Sequence, residues 1–171
     1  MLPSANGATA PRVGGVSERY RVVPASYVLL LRGTGERTEV LLQMRAGTGF
    51  MDGHWAAAAA GHVEAGEDAA AAAVREAREE LGVTVDPADL VPLTAVHRTG
   101  RTGDPVDERV DFFFTCRRWT GEPRRAEDGK TAGLDWFALA DLPADTVPHE
   151  RAVLDALRDG DVAAVRSHGF R

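Results

Sequence analysis

The sequence predicts a mixed α+β sandwich, and three observations carry that expectation. Strand-like runs lie both before and after a single strong central helix, a second amphipathic helix follows them, and the apolar content suffices for one compact core. The 171 residues suit one domain. Apolar residues make up 44% of them, but 28 of these are alanine and none is isoleucine. The large apolar set is therefore 47 residues, mostly Val and Leu, enough for one core and not two.

Residues 1–17, rich in Gly, Pro, Ser and Ala without periodicity, read as a flexible tail ahead of a domain over 18–160. Residues 21–31 are a β-rich run, 33–37 a glycine-bearing turn and 39–44 a second apolar run, together an antiparallel hairpin. A glycine-rich loop over 47–53 leads to Trp55 and five alanines, 56–60, a close-packed small-residue strand. Residues 67–82 form the clearest helix, because alanine is the best helix former and no Gly or Pro interrupts before Gly82, which is placed as a cap. Residues 90–97 and 109–119 are strands, the second with a β-prone core at 110–114. Residues 134–137 make a short strand, and Leu142-Pro143 breaks the chain. Residues 149–157 make an amphipathic helix with Val153, Leu154 and Leu157 on one side, and 161–171 read as a C-terminal tail.

Acidic residues outnumber basic ones by 26 to 20, a net charge of −6, which disfavours tracking along a nucleic-acid polymer. Lys130 is the one lysine, and Cys116 the one cysteine. A lone thiol excludes an intramolecular disulfide framework and fits a reducing, cytoplasmic compartment. The first 17 residues lack the charged-then-apolar pattern of a secretory signal, and no run approaches the length of a membrane span.

On a helical wheel, Ala70, Ala73, Val74, Ala77 and Leu81 fall within an arc of about 100°, the face expected to be buried. Glu76, Glu79 and Glu80 share a different arc at i, i+3 and i+4, where like charges repel. Such a face is either solvated or occupied by a cation. An all-oxygen set suits a hard divalent ion such as Mg²⁺ or Mn²⁺, which also bridges to phosphate oxygens.

The residues upstream sharpen that choice. From Gly61 the string runs Gly61-His-Val-Glu64-Ala-Gly66-Glu67, then seven residues, then Arg75-Glu76-Ala77-Arg78-Glu79-Glu80-Leu81-Gly82-Val83. It resembles the Nudix box of the MutT-like hydrolases, Gly-x5-Glu-x7-Arg-Glu-U-x-Glu-Glu-x-Gly-U with U apolar, at every fixed position.

The resemblance implies an α/β/α sandwich with a mixed sheet and the Nudix loop-helix, over roughly residues 20–158. It implies hydrolysis of a diphosphate linkage in a nucleoside diphosphate derivative, nucleoside triphosphate housecleaning included, with Mg²⁺ or Mn²⁺. By the same resemblance Glu76, Glu79 and Glu80 are catalytic residues and metal ligands, the Ala60 carbonyl completes the shell, Glu64 sits at its edge, and Glu67 pairs with Arg75 structurally. The general base stays open among Glu76 and Glu80 inside the box and Asp107, Glu108 and Asp111 outside it. Many members carry Leu-Pro-Gly or similar just before the box, where this chain has alanines. Arg109, Lys130 and Phe112 are the candidates for substrate binding: two cations for phosphate and an aromatic ring for stacking. The expected partner is a small nucleotide-type diphosphate, with no nucleic-acid polymer and no membrane, and a homodimer is one of the family's states. The alternative is a non-catalytic nucleotide-binding sensor. Such domains usually lose a box glutamate, and here all are present. The isomerase branch of the fold needs an early cysteine, whereas Cys116 falls late.

Overall fold

A computed structural model describes residues 19–125 and 131–170; the expected tail over 1–17 and Lys130 lie outside the described residues. The elements run β1 (Val23–Arg32), β2 (Glu39–Arg45), β3 (Trp55–Ala57), β4 (Ala59–His62), α1 (Ala69–Leu81), β5 (Leu90–Thr99), β6 (Glu108–Cys116), β7 (Thr131–Ala138), α2 (Pro148–Asp159) and β8 (Val165–His168). Among the described residues the strands make one eight-stranded sheet in the order β3-β2-β1-β6-β5-β8, with β4 on β1 and β7 on β2. Parallel pairs (β1·β6 and β5·β8) and antiparallel ones are both present, so the sheet is mixed, as expected.

β1 is the centre, and its run Ala25 to Leu31 is buried throughout because helices cover both faces. Alternation along the strand sorts its side chains. Tyr27, Leu29 and Leu31 join Phe113 and the α2 residues Val153 and Leu154 in one cluster. Val28 and Leu30 join Phe114 and the α1 residues Ala73, Ala77 and Leu81 in the other. Each fully buried Leu contributes about 1.5–3 kcal/mol relative to exposure. The alanine-rich helix packs close to the sheet because Ala56 to Ala59 and Ala72, Ala73 and Ala77 bring almost no bulk to their contacts.

The expected hairpin is only partly formed. β1 and β2 pair at Leu31–Val40 and Arg32–Glu39, and the inner half of β1 pairs instead with β4, from Ala25–His62 to Val28–Ala59. The alanine run is two strands, broken at Ala58, so that one segment serves β2 and then β1. The strand expected over 109–119 ends at Cys116, and Thr120 then bridges to Thr84. Part of the expected C-terminal tail is ordered: Val165 to His168 pair with Ala95 to Arg98, and Thr94 Oγ1 donates to the Ala163 carbonyl at 2.8 Å. That strand has no amphipathic pattern of its own. Pairing with β5 creates it.

Candidate active site

The box folds as a loop leading into α1. Asp68 caps the helix by accepting from the Ala71 N–H, and Gly82 ends it in the left-handed conformation, φ 67°, as its position in the sequence implied. Arg75 is the hub. Its guanidinium donates to both oxygens of Glu67 (2.7 and 3.2 Å), to Glu76 Oε1 (2.7 Å), to Glu79 Oε2 (3.1 Å) and to the His62 carbonyl (3.0 Å). Glu67 in turn accepts from the Glu64 N–H at 2.7 Å, so one side chain straps the loop to the helix.

The helix is rolled relative to the expected wheel. Glu76 is buried and so is Ala72, while Ala70 and Val74 are only half-buried. Glu79 alone of the three glutamates is exposed. The cause lies at Gly61: a Cβ there would fall 1.9 Å from Glu76 Oε1, so the glycine opens the space into which the carboxylate turns. Burial raises the Glu76 carboxyl above its ordinary range, against the opposing pull of Arg75. Glu80, half-buried, accepts from the Ala60 N–H at 2.9 Å and faces a cleft. The structure thus gathers Glu76, Glu80 and Ala60 at one junction, with Glu79 one turn outward and Glu64 exposed on the loop. Among the described residues no three His, Cys, Asp or Glu side chains form a ready cation cage, and Arg75 shares its single charge among Glu67, Glu76 and Glu79. The donor set is nonetheless all oxygen, the chemistry a hard divalent ion prefers.

The cleft, about 480 Å³, lies on the α2 side of the sheet. Ala60, Gly61, His62 and Glu80 form its box end, and Tyr27, Arg98, His149 and Glu150 its inner wall. Arg109, a substrate-binding candidate, lines it, donating to Asp111 Oδ1 at 3.3 Å and lying 2.7 Å from His62 Nε2. Phe112 does not line it: alternation along β6 sends Arg109, Asp111 and Phe113 to the cleft face and Phe112 to the α1 face, where it packs on the helix-side core.

The three outside candidates for a general base separate. Asp111 is fully buried between Arg98 (2.5 Å) and Arg109, and Glu108 accepts from Thr99 (2.7 Å) and Tyr20 away from the cleft. Asp107 lines the cleft and accepts from Thr102.

Among the lining residues that were not foreseen are Tyr27, Arg98, His149 and Glu150. Tyr27 stacks on Phe113 with centroids 4.4 Å apart, and burial pushes its phenol above the usual range. Glu150 carries a signal that was legible, since it precedes Val153, Leu154 and Leu157 at apolar-stripe spacing, where a carboxylate has no place unless something binds it. The Ala57 N–H donates to its Oε2 at 2.5 Å.

Burial raises the Glu150 carboxyl to about 7 and, with nearby Arg98, lowers the His149 imidazole to about 3. The native state therefore holds the extra proton on Glu150 between pH 4.5, its ordinary value, and about 7, and stability falls as pH rises through that window. The unfolded state holds the extra proton on His149 between about 3 and 6.5, so stability rises with pH there. The two slopes oppose each other from 4.5 to 6.5. Glu150→Gln is expected to gain melting temperature relative to the wild type as pH climbs from 4.5 to 7. A wild-type-to-variant difference that stays flat over that range contradicts the assignment.

A family model described as NUDIX domain matches residues 22–157, and the chain belongs to that family. A Caenorhabditis elegans protein named as a nudix hydrolase is 31% identical over 141 residues, covering 82% of this chain; the chain spans about a third of that relative's length (35%). Among solved structures, a MutT NUDIX hydrolase from Burkholderia pseudomallei superposes with a TM-score of 0.68 at 26% identity, covering 79% of this chain and 97% of that one. A MutT/nudix family protein from Enterococcus faecalis gives 0.65 at 22% identity, covering 84% and 64%, a likeness of fold. Sheet, flanking helices and box loop-helix are thus those of a Nudix domain. No helix among the described residues is long and apolar enough to cross a membrane.

Proposed function

We propose that the protein hydrolyses a diphosphate linkage in a nucleoside diphosphate derivative, with Mg²⁺ or Mn²⁺ as cofactor, and that nucleoside triphosphates are among its substrates. The observation that carries this reading is the box junction: Gly61 makes room for the Glu76 carboxylate beside Glu80, at the edge of a cleft within the size range of small-molecule sites.

Glu76, Glu79, Glu80 and the Ala60 carbonyl are the groups that would hold the cation, with Glu64 at the periphery. When bound, a divalent ion neutralises diphosphate oxygens and lowers the pKa of water. The protein's own groups do the rest. Arg109 and Arg98 supply positive charge along the cleft in a chain of net charge −6, and Asp111 fixes both guanidiniums in place. Glu80, the box carboxylate that lines the cleft, takes the proton from a water that attacks phosphorus, while the bridging P–O bond breaks and its electrons leave with the departing phosphate. Lys130, a second expected phosphate contact, lies outside the described residues and is kept as part of this proposal.

Incubation with Mg²⁺ and a panel of nucleoside triphosphates, dinucleoside polyphosphates and nucleotide sugars tests the reading. Release of phosphate, pyrophosphate or a nucleoside monophosphate from at least one is expected. Folded protein that releases nothing overturns it, and tight nucleotide binding without turnover would select the sensor alternative.

A further inference from the structure

The inner wall of the cleft holds a feature that the phosphate chemistry leaves unused. His149 is 4% exposed and lines the cleft, yet among the described residues its Nε2 has no hydrogen-bond partner. Two carboxyl oxygens, Asp111 Oδ2 at 3.7 Å and Glu150 Oε1 at 3.9 Å, face it but are too distant to bond it. Native structures seldom leave a buried polar atom unpaired unless something arrives to pair it. The ring is positioned rather than loose: Tyr27 meets it edge-on at 6.2 Å, and the His168 ring of β8 lies 5.8 Å away.

We propose that His149 Nε2, with Glu150 Oε1 beside it, reads the non-phosphate part of the substrate, accepting a planar group that carries a hydrogen-bond acceptor next to a donor, as a nucleobase edge does. The imidazole is neutral, and the Asp111 carboxylate facing Nε2 at 3.7 Å favours the tautomer with its proton on that nitrogen, which makes it a donor. Glu150 Oε2 is taken by the Ala57 N–H, so the carboxyl group is held in orientation with Oε1 as the atom toward His149. Above about pH 7, where Glu150 is ionised, Oε1 accepts, and donor and acceptor stand side by side.

The backbone sets the distance between this pair and the box. The Ala57 N–H holds Glu150 and the Ala60 N–H holds Glu80, three residues apart on one segment, a span of at most about 10 Å when extended. A nucleotide bridges a gap of that order, with its phosphates toward Glu80 and its base toward His149. The proposal rests on the diphosphate reading for the orientation of the substrate, but its base-reading element is testable separately.

The test compares kcat/KM for ATP, GTP, CTP and UTP with Mg²⁺ in the wild type, His149→Leu and His149→Gln, alongside calorimetric Kd values for the same four nucleotides without metal. The wild type is expected to discriminate among bases. His149→Leu compresses that spread and lowers the favoured substrate about tenfold, the effect of one lost hydrogen bond. His149→Gln, which keeps a donor, retains more of it. Melting curves confirm that the variants fold. Should the Leu variant not fold, His149→Asn, which withdraws the polar group from the cleft, is expected to compress the spread likewise. A wild type indifferent to the base, or a folded Leu or Asn variant with the spread intact, overturns the proposal. Turnover without base discrimination sinks this inference and keeps the hydrolase reading. Base-dependent Kd values that the substitutions abolish, in a protein that hydrolyses none of the four, keep this inference and count against that reading.

Discussion

Glu80→Gln is expected to lower turnover roughly a hundredfold or more while leaving the fold intact. The substitution keeps the shape of the side chain and an oxygen able to accept from the Ala60 N–H, the contact that now lies at 2.9 Å, so the junction of β4 and α1 has no reason to open. What it removes is the negative charge at the cleft edge, which the proposed mechanism uses both to hold a divalent ion and to accept a proton. Initial rates across a Mg²⁺ titration, with melting temperatures alongside, decide the matter. Equal activity of variant and wild type at every Mg²⁺ concentration would show that Glu80 has neither role.

Gly61→Ala separates position from presence. All three box glutamates remain, but the new methyl group falls 1.9 Å from Glu76 Oε1 and 2.2 Å from its carboxyl carbon. The clash is with the far end of a flexible side chain, and Gly61 is not among the positive-φ glycines, so alanine fits its backbone without strain. Glu76 swings away and the fold survives. Stability is expected to change by less than about 1 kcal/mol. Activity should fall on the order of a hundredfold, the cost of a catalytic group displaced by about an ångström or more. An alanine variant that melts normally and works normally would mean that the seating of Glu76 against Gly61 is incidental.

These two predictions show how legible the site was. The spacing of Gly61, Glu67, Arg75, Glu76, Glu79, Glu80 and Gly82 is local, and local spacing on a loop and one helix survives into the structure nearly unchanged. Asp68 and Gly82 cap the helix where propensity places its ends. The roll of the helix was not legible. A mostly alanine face has so weak an apolar gradient that the burial of Glu76 is decided by its partner, Gly61, and not by the wheel. Phe112 failed as a stacking candidate for a related reason: three consecutive phenylalanines alternate between two buried faces, and only the register of β6 against β1 tells which face borders the cleft.

The order of residues by itself determined the fold class, the central helix with its caps, and the box with its acidic cluster, because each rests on periodicity or spacing within a few turns of chain. Tertiary structure alone decided that β1 divides its pairing between β2 and β4, and that residues 165–168 become a strand on β5. It alone brought Tyr27, Arg98, His149 and Glu150, from β1, β5 and α2, into one wall. The physical reason is the same in each case. An unpaired strand edge or a buried polar atom acquires its meaning from the group packed against it, and that group lies tens of residues away in sequence.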